Sequence, residues 1–235
     1  MRFMTAIGRN RIERQQYCIE TWKPFATEIV ACNTAEDIEF LKPHFPGISF
    51  EVCPPHLTGE KLYNRPDRVS IYALAQCGPG LLINSDIKID GITPDAFSAT
   101  WSPVDRTLKL GIRYDFDGPG KPKSLNRYGI DAFLLTDQII DRIPNLGFII
   151  GTSVWDYWLT WHMAARESYH LRTIHGHLLH LTHPSSWNET DTEIGESLMT
   201  YQYAISHGTL SAAIQVLTGR NRIVKVERTK KTRTR

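Results

Sequence analysis

The first 90 residues alternate between short apolar segments and segments with helical spacing, and this alternation limits the possible folds most. Consecutive strand and helix units of this kind build a parallel sheet with helices packed on its faces. Ligands of such sheets bind beyond the carboxyl ends of the strands. We predict strands at 3–7, 27–32, 48–52 and 81–86, and helices at 11–22, 35–41 and 68–76.

The strand that begins at Leu81 runs directly into Asn84, Ser85 and Asp86. A carboxylate at the end of a buried strand can hold a divalent cation, and the cation can in turn hold a diphosphate. Mg²⁺ and Mn²⁺ prefer oxygen ligands and often share them between a carboxylate and substrate phosphates. We therefore predict a Mg²⁺ or Mn²⁺ site at Asp86. The alternative is that Asp86 only begins a turn.

The second half of the chain is less regular but continues the α/β pattern. It contains no internal repeat and no clear domain boundary, so we expect one domain over residues 1–219. We predict strands at 108–114, 131–135, 147–151 and within 169–181, and helices at 154–167 and 193–217.

Four histidines lie within nine positions: His175, His177, His180 and His183. The first two would share one face of a strand, and the last two could converge at a turn or on one helical face. Histidine is a common metal ligand, so this cluster is a candidate source of one. A zinc site made of histidines alone, and a set of exposed or hydrogen-bonded histidines, are the alternatives.

A third candidate lies at Gly151–Trp158, where a predicted strand passes through a small-residue turn into a helix. Asp156 falls in the first helical turn, where the helix dipole favours an ionised carboxylate. An ionised carboxylate at the mouth of a pocket can act as a general base toward a hydroxyl group. The alternative is that Asp156 only supports the start of the helix.

Arginines flank the predicted ligand-binding edge of the sheet. Arg9, Arg11 and Arg14 follow the first strand, and Arg65 and Arg68 precede the strand that leads to Asp86. Guanidinium groups at strand ends can neutralise a diphosphate. The chain has no Walker loop and no GxGxxG motif, so a glycine-rich phosphate loop finds no support.

The charge of the chain is unevenly distributed. Residues 220–235 contain eight Lys or Arg and one Glu, whereas residues 1–219 carry a net charge of −5. We expect a flexible basic tail, which could attract a polyanion such as DNA. No apolar run approaches the ~20 residues that cross a bilayer, and the start of the chain lacks a signal-peptide core.

The four cysteines are widely spaced and form no CxxC pair. We predict that all of them are reduced residues of the core. This pattern is typical of a cytoplasmic protein.

Five segments resemble, in order, the motifs of GT-A glycosyltransferase-like proteins. The family patterns are QRNAIxSW, NADI, GxDxF, GxxxWDNWL and HQxHDY, and the resemblance covers residues 3–190. The corresponding segments are ERQQYCIETW at 13–22, NSDI at 84–87, GIDAF at 129–133, GTSVWDYWL at 151–159 and HLTH at 180–183. Compared with a DxD-type metal motif, the second segment has Asn84 in place of the first aspartate. In the last segment Pro184 follows His183, where the family pattern has an acidic residue.

This resemblance implies a GT-A, Rossmann-like fold with a mixed, mostly parallel sheet. It implies a nucleotide-diphospho-sugar donor, with a UDP-sugar favoured, and a Mn²⁺ or Mg²⁺ cofactor. Asp86 corresponds to the metal-binding aspartate, and His183 or His180 to a distal metal ligand. Asp156 corresponds to the base of inverting members, and Asp131 is a second candidate near the acceptor. The expected donor-binding residues are Thr5, Arg9, Arg14, Asn33, Arg68, Asn84 and Ser85.

The predicted activity is sugar transfer to an acceptor hydroxyl, with inversion favoured and modified DNA as one candidate acceptor. A polysaccharide or a lipid-linked acceptor is equally compatible. A nucleotidyltransferase is an alternative, although Gly8-Arg9-Asn10-Arg11 is a poor version of its basic loop. A non-catalytic nucleic-acid-binding protein that uses the basic tail is another, but such a tail supplies attraction without sequence specificity.

Overall fold

The structure, a computed structural model, describes residues 1–116, 123–152, 154–183 and 189–203. Outside these residues lie Ser153, residues 204–217 of the helix predicted at 193–217, and the predicted basic tail at 220–235. The strands are β1 (Arg2–Thr5), β2 (Glu28–Asn33), β3 (Ser49–Val52), β4 (Thr58–Gly59), β5 (Arg65–Val69), β6 (Gly80–Ile83), β7 (Ile87–Ile89), β8 (Thr107–Phe116), β9 (Lys123–Leu135), β10 (His170–Ile174) and β11 (Leu178–Leu181). The α-helices are α1 (Ile12–Glu20), α2 (Ala35–Leu41), α3 (Glu60–Tyr63), α4 (Ile71–Gln76), α5 (Pro94–Thr100), α6 (Asp137–Ile140), α7 (Trp155–Trp161) and α8 (Glu189–Tyr203).

Nine of the described strands form one mixed, largely parallel sheet. The order is β3-β2-β1-β6-β9-β8-β11-β7, and β10 also pairs with β8. In this order β3, β2, β1 and β6 are parallel to one another. β9 is antiparallel to β6 and β8, and β7 is antiparallel to β11. The α/β class and the mixed, largely parallel sheet predicted from the sequence are thereby confirmed.

Alternate residues of the central strands bury their side chains on opposite faces of the sheet. Met4 and Leu82 join a core that includes residues of α4 and α7. Phe3 and Leu81 join a second core that includes residues of α1 and α5. Because side chains alternate across a strand, the continuous apolar runs of β1 and β6 require helices on both faces.

Local capping explains where four helices begin. A threonine or serine precedes each of these helices, and its side-chain oxygen accepts a hydrogen bond from the backbone N–H three residues later. Such caps satisfy donors that have no partner within the helix. The capping residues are Thr34 for α2, Ser70 for α4, Thr93 for α5 and Thr136 for α6.

Three predicted elements differ from the structure. Residues 147–151 do not form a strand: Ile149 makes only an isolated bridge, because Gly147 and Gly151 adopt positive φ angles that interrupt an extended backbone. The helix predicted at 154–167 is α-helical only to Trp161 and continues as a wider π-type turn to Arg166. The helix predicted at 68–76 begins at Ile71, since residues 65–69 form β5.

All four cysteines are free and buried, as predicted. Within the described part of the chain, no helix is long and apolar enough to span a membrane.

Candidate functional site

The turn that joins β6 to β7 carries Asn84, Ser85 and Asp86. The backbone N–H of Asn84 donates to the Asp131 carbonyl of β9 (3.0 Å), and Ile87 N–H donates back to the Asn84 carbonyl (3.1 Å). The Ser85 hydroxyl donates to Gln15 Oε1 of α1 (2.8 Å). These bonds fix the turn to β9 and to α1, and the Asp86 carboxylate lies at the end of the sheet.

Asp86, His180 and His183 converge there. Asp86 Oδ2 lies 3.0 Å from His183 Nε2 and 3.5 Å from His180 Nε2, and the two imidazole nitrogens are 3.2 Å apart. One ligand atom from each residue falls within 4.8 Å of the others. The predicted convergence of the two histidines is confirmed.

Strand pairing explains how residues nearly a hundred positions apart meet. β11 pairs antiparallel with β7, and His180 is the direct partner of Ile87, the residue after Asp86. His183 follows two residues after the end of β11. The site therefore depends on a long-range strand pair that no local motif specifies.

The other two histidines do not join this cluster. His175 and His177 lie in the turn between β10 and β11, so the expectation that they share a strand face is wrong; Gly176, with φ of 102°, breaks the extended backbone between them. His177 is buried and accepts a hydrogen bond from Trp101 Nε1 (3.0 Å). It therefore belongs to the core beside α5.

The charges of the cluster are mutually stabilising. Burial opposes ionisation of Asp86, but hydrogen bonds from His180 and His183 outweigh that effect and lower the pKa of its carboxyl. Burial lowers the pKa of His180, yet its contact with Asp86 raises that pKa above the usual value. The group is thus a partly buried anion held by two imidazoles, which are good metal ligands.

Two residues that sequence reasoning missed support this cluster. His180 Nδ1 lies 3.0 Å from Asp115 Oδ1, and Arg113 Nε forms an ion pair with the same oxygen at 2.9 Å. Arg113 also donates to both carboxylate oxygens of Asp131 (3.2 and 3.4 Å), which accepts a hydrogen bond from Asn84 Nδ2 at 2.5 Å. The available signal was the i, i+2 spacing of positions 113 and 115 at the end of the strand predicted at 108–114, because residues two apart share a strand face.

A cleft of about 470 Å³ opens beside Asp86. Five arginines line it, together with the acidic residues Asp37 and Asp67. Eight of the predicted site residues lie on its wall: Arg9, Arg14, Asn33, Arg68, Asn84, Ser85, Asp86 and His183.

The cleft arginines already have protein partners. Arg9 pairs with Asp37 and with Glu36, and Arg65 pairs with Asp67 at 3.0 Å. Arg14 Nη1 donates to the Leu181 carbonyl (3.0 Å), which connects α1 to the histidine-bearing strand. These contacts orient the guanidinium groups around the cleft before any ligand enters.

Two of the predicted donor-binding residues have different surroundings. Thr5 is fully buried and does not line the cleft. Asn33 touches the cleft but is only 2% exposed, and its amide is used by the backbone: it accepts from Ile7 N–H (3.3 Å) and donates to the Ile7 carbonyl (2.8 Å). Asn33 therefore holds the chain after β1 against the end of β2.

Replacing Asn33 with Leu should destabilise the fold by about 2 to 4 kcal/mol, because a buried N–H and a buried C=O of Ile7 lose their partners. Urea unfolding followed by circular dichroism measures this change. Asn10→Leu, at an exposed position on the same cleft, is the matched control and should change stability by less than about 0.5 kcal/mol. Equal stability of the two variants would show that the Asn33 amide does not support the fold.

Asp131 and Asp156 are not among the residues that line the cleft. Asp131 is 4% exposed and its carboxylate is taken up by Arg113 and Asn84. Burial and, as a smaller effect, the nearby charge of Asp131 together raise the pKa of Asp156 to about 7. Asp156 keeps partial exposure at the start of α7.

Comparison of the chain with protein-family models and with curated proteins found no match.

Proposed function

We propose that this protein is a metal-dependent glycosyltransferase of the GT-A type. It would transfer a sugar from a nucleotide-diphospho-sugar, a UDP-sugar by preference, to an acceptor hydroxyl. The observation that carries the proposal is the convergence of Asp86, His180 and His183 beside an arginine-lined cleft at the end of the sheet.

The position of this cluster matches the way α/β proteins bind phosphorylated ligands. β1, β2 and β6 are parallel, and the cleft lies beyond their carboxyl ends, where such sheets bind ligands. A volume of about 470 Å³ is within the range of small-ligand pockets. A carboxylate that can hold a cation, beside several arginines, suits a substrate that carries a diphosphate, because the cation and the guanidinium groups both attract phosphate oxygens.

The ligand set favours Mn²⁺ over Mg²⁺. Mg²⁺ prefers oxygen ligands alone, whereas this set contains two imidazole nitrogens, which are ligands of transition metals. Mn²⁺ is a transition metal that also accepts carboxylate and water ligands. Two histidines and one aspartate would leave coordination positions for phosphate oxygens. The same set also suits Zn²⁺ and Fe²⁺, so both belong in any binding test.

Each group of side chains would then have a distinct task. The metal, when bound, would supply positive charge for the leaving diphosphate. Arg11, Arg14 and Arg68 would hold the same diphosphate through charge-assisted hydrogen bonds. Asp156 would accept the proton of the acceptor hydroxyl as the glycosidic bond forms and the nucleotide leaves.

A thermal-shift panel of nucleotide sugars, each with and without Mn²⁺, tests the proposal. We expect one donor to raise the melting temperature only when the metal is present, because the diphosphate and the metal share a site. A bound ligand at 100 times its Kd adds about 2.7 kcal/mol of stability, which is several degrees for a domain of this size. Nucleoside triphosphates serve as the comparison set, since a shift with these alone would favour a nucleotidyltransferase instead.

The acceptor hypothesis rests on the basic segment at 220–235, which lies outside the described residues. Removing these residues should weaken DNA binding at low salt while leaving the donor-induced thermal shift unchanged. DNA binding that survives the truncation would remove the reason for proposing DNA as the acceptor.

A further inference from the structure

Arg113 contacts both of the carboxylates that support the candidate metal cluster, Asp115 and Asp131. It lies in β8, next to β9 on one side and β11 on the other. Its Nε pairs with Asp115 (2.9 Å) and its Nη1 with Asp131 (3.2 Å). Only 24% of its side chain is exposed, so both ion pairs are largely shielded from water.

The first support is the carboxylate behind His180. Asp115 Oδ1 lies 3.0 Å from His180 Nδ1, and Asp115 Oδ2 accepts a hydrogen bond from Asn126 (2.7 Å). A carboxylate at Nδ1 holds a ring proton on that nitrogen, so Nε2 is the ring atom that can become an electron-pair donor to a metal. Nε2 is the atom that faces Asp86 and His183.

The second support is the carboxylate behind the metal-binding turn. Asp131 receives the side-chain amide of Asn84 at 2.5 Å, and its carbonyl receives the Asn84 backbone N–H at 3.0 Å. Asn84 begins the turn that presents Asp86. The Arg113 guanidinium is therefore linked to His180 by way of Asp115. It is linked to the turn that carries Asp86 by way of Asp131 and Asn84.

Gly129 makes room for this guanidinium. A Cβ atom at position 129 would lie 2.5 Å from Arg113 Nε, 2.7 Å from its Cδ and 2.8 Å from its Cγ. These distances are shorter than any real contact, so a side chain there would displace Arg113. The glycine two residues before Asp131 is thus explained by the space that Arg113 requires.

We propose that Arg113 is a positioning residue that sets the His180 tautomer and the place of Asp86 together. This inference rests on the proposed metal site for its functional meaning. The planar guanidinium suits the task because it can pair with two carboxylates through different nitrogens, whereas a lysine ammonium acts as a single point charge.

The test uses two measurements on Arg113→Gln, Arg113→Lys and Gly129→Ala. The first is the ¹⁵N shift of the His180 ring nitrogens in metal-free protein across a pH series, which reports the tautomer at the pH values where the ring is neutral. The second is the affinity for Mn²⁺ alone by isothermal titration calorimetry. Arg172→Gln is the matched control, because Arg172 is an exposed arginine of the same sheet, on β10.

We expect wild-type protein and the Arg172→Gln variant to hold the proton on Nδ1. In Arg113→Gln and Gly129→Ala the tautomers should mix and Mn²⁺ affinity should fall about 10- to 100-fold, as for other residues behind metal ligands. Arg113→Lys should give an intermediate result. Gly129→Ala keeps the charge, so it still tests the idea if Arg113→Gln fails to fold.

Unchanged His180 tautomer in folded Arg113→Gln and Gly129→Ala would overturn the proposal. A second outcome is that the tautomer changes in the variants but the wild-type protein binds no Mn²⁺. Arg113 would then still be the residue that positions His180, and the proposed Mn²⁺ site would be overturned. The two failures are therefore distinguishable.

Discussion

Asp86→Asn should reduce metal-dependent sugar transfer by about 1,000-fold or more. The carboxylate is the one anionic member of the candidate ligand set, and its two histidine partners are neutral as ligands. Loss of several kcal/mol of charge stabilisation in the transition state corresponds to this factor. Steady-state assay with the donor identified in the thermal-shift panel measures it, and titration with Mn²⁺ should show lost binding in parallel.

Asp90→Asn is the matched control for this variant. Asp90 lies just after β7, is 42% exposed and pairs with Lys123 and Lys88 on the surface. Its substitution should change transfer by less than twofold. Metal-dependent transfer that persists in Asp86→Asn would exclude Asp86 as a metal ligand.

The second large effect is expected at Asp156. Asp156→Asn should lower the rate of transfer by about 100- to 10,000-fold, the usual contribution of a general base, while leaving the Mn²⁺-dependent donor shift in place. The wild-type rate should rise with pH around a midpoint of about 7, because only the ionised carboxylate can accept a proton. The Asn variant should lose this midpoint.

The same group affects stability with a definite sign. Its pKa is about 7 in the folded protein, against an ordinary value of 3.8. Between these values the folded protein retains a proton that the unfolded chain has lost, so its stability falls as pH rises through this window. Urea unfolding at pH 4, 5.5 and 7 should show this trend, and Asp156→Asn should reduce it.

Asp141→Asn, an exposed aspartate after α6, is the control for both measurements. It should keep the pH–rate profile and the pH dependence of stability. If Asp156→Asn transfers sugar as fast as this control, the proton acceptor is another group and Asp156 only supports the start of α7.

Residues 3–86 show how far local pattern can predict structure. β2, β3, β6 and α2 were predicted within a few residues, since apolar runs, capping residues and chain breakers all act locally. The segment at 147–151 was misread because an apolar run between two glycines resembles a strand until its φ angles are known. The sequence could not show that the Asn33 amide bonds to the Ile7 backbone, because a buried amide and an exposed one look alike in a sequence.

The residues of the candidate site also fall into two groups, those that the sequence predicts and those that only the structure shows. Asp86, His180 and His183 were candidates because their residue types carry metal chemistry, and Asp86 also follows a predicted strand end. Arg113, Asp115 and Gly129 were missed because their roles depend on which strands lie next to one another. β8 receives β9 on one edge and β11 on the other, and this order cannot be read from spacing along the chain.

The sequence by itself determined the α/β class, most of the elements before residue 90 and the residue types that could hold a metal. Only the tertiary structure decided that Asp86 meets His180 and His183, that His175 and His177 do not, and that Arg113 contacts both supports. The physical reason is that apolar periodicity and capping are short-range, whereas a binding site forms from side chains that distant strand pairings bring within hydrogen-bonding distance. The turn after β6 presents the carboxylate, and the pairing of β7 with β11 brings in the imidazoles.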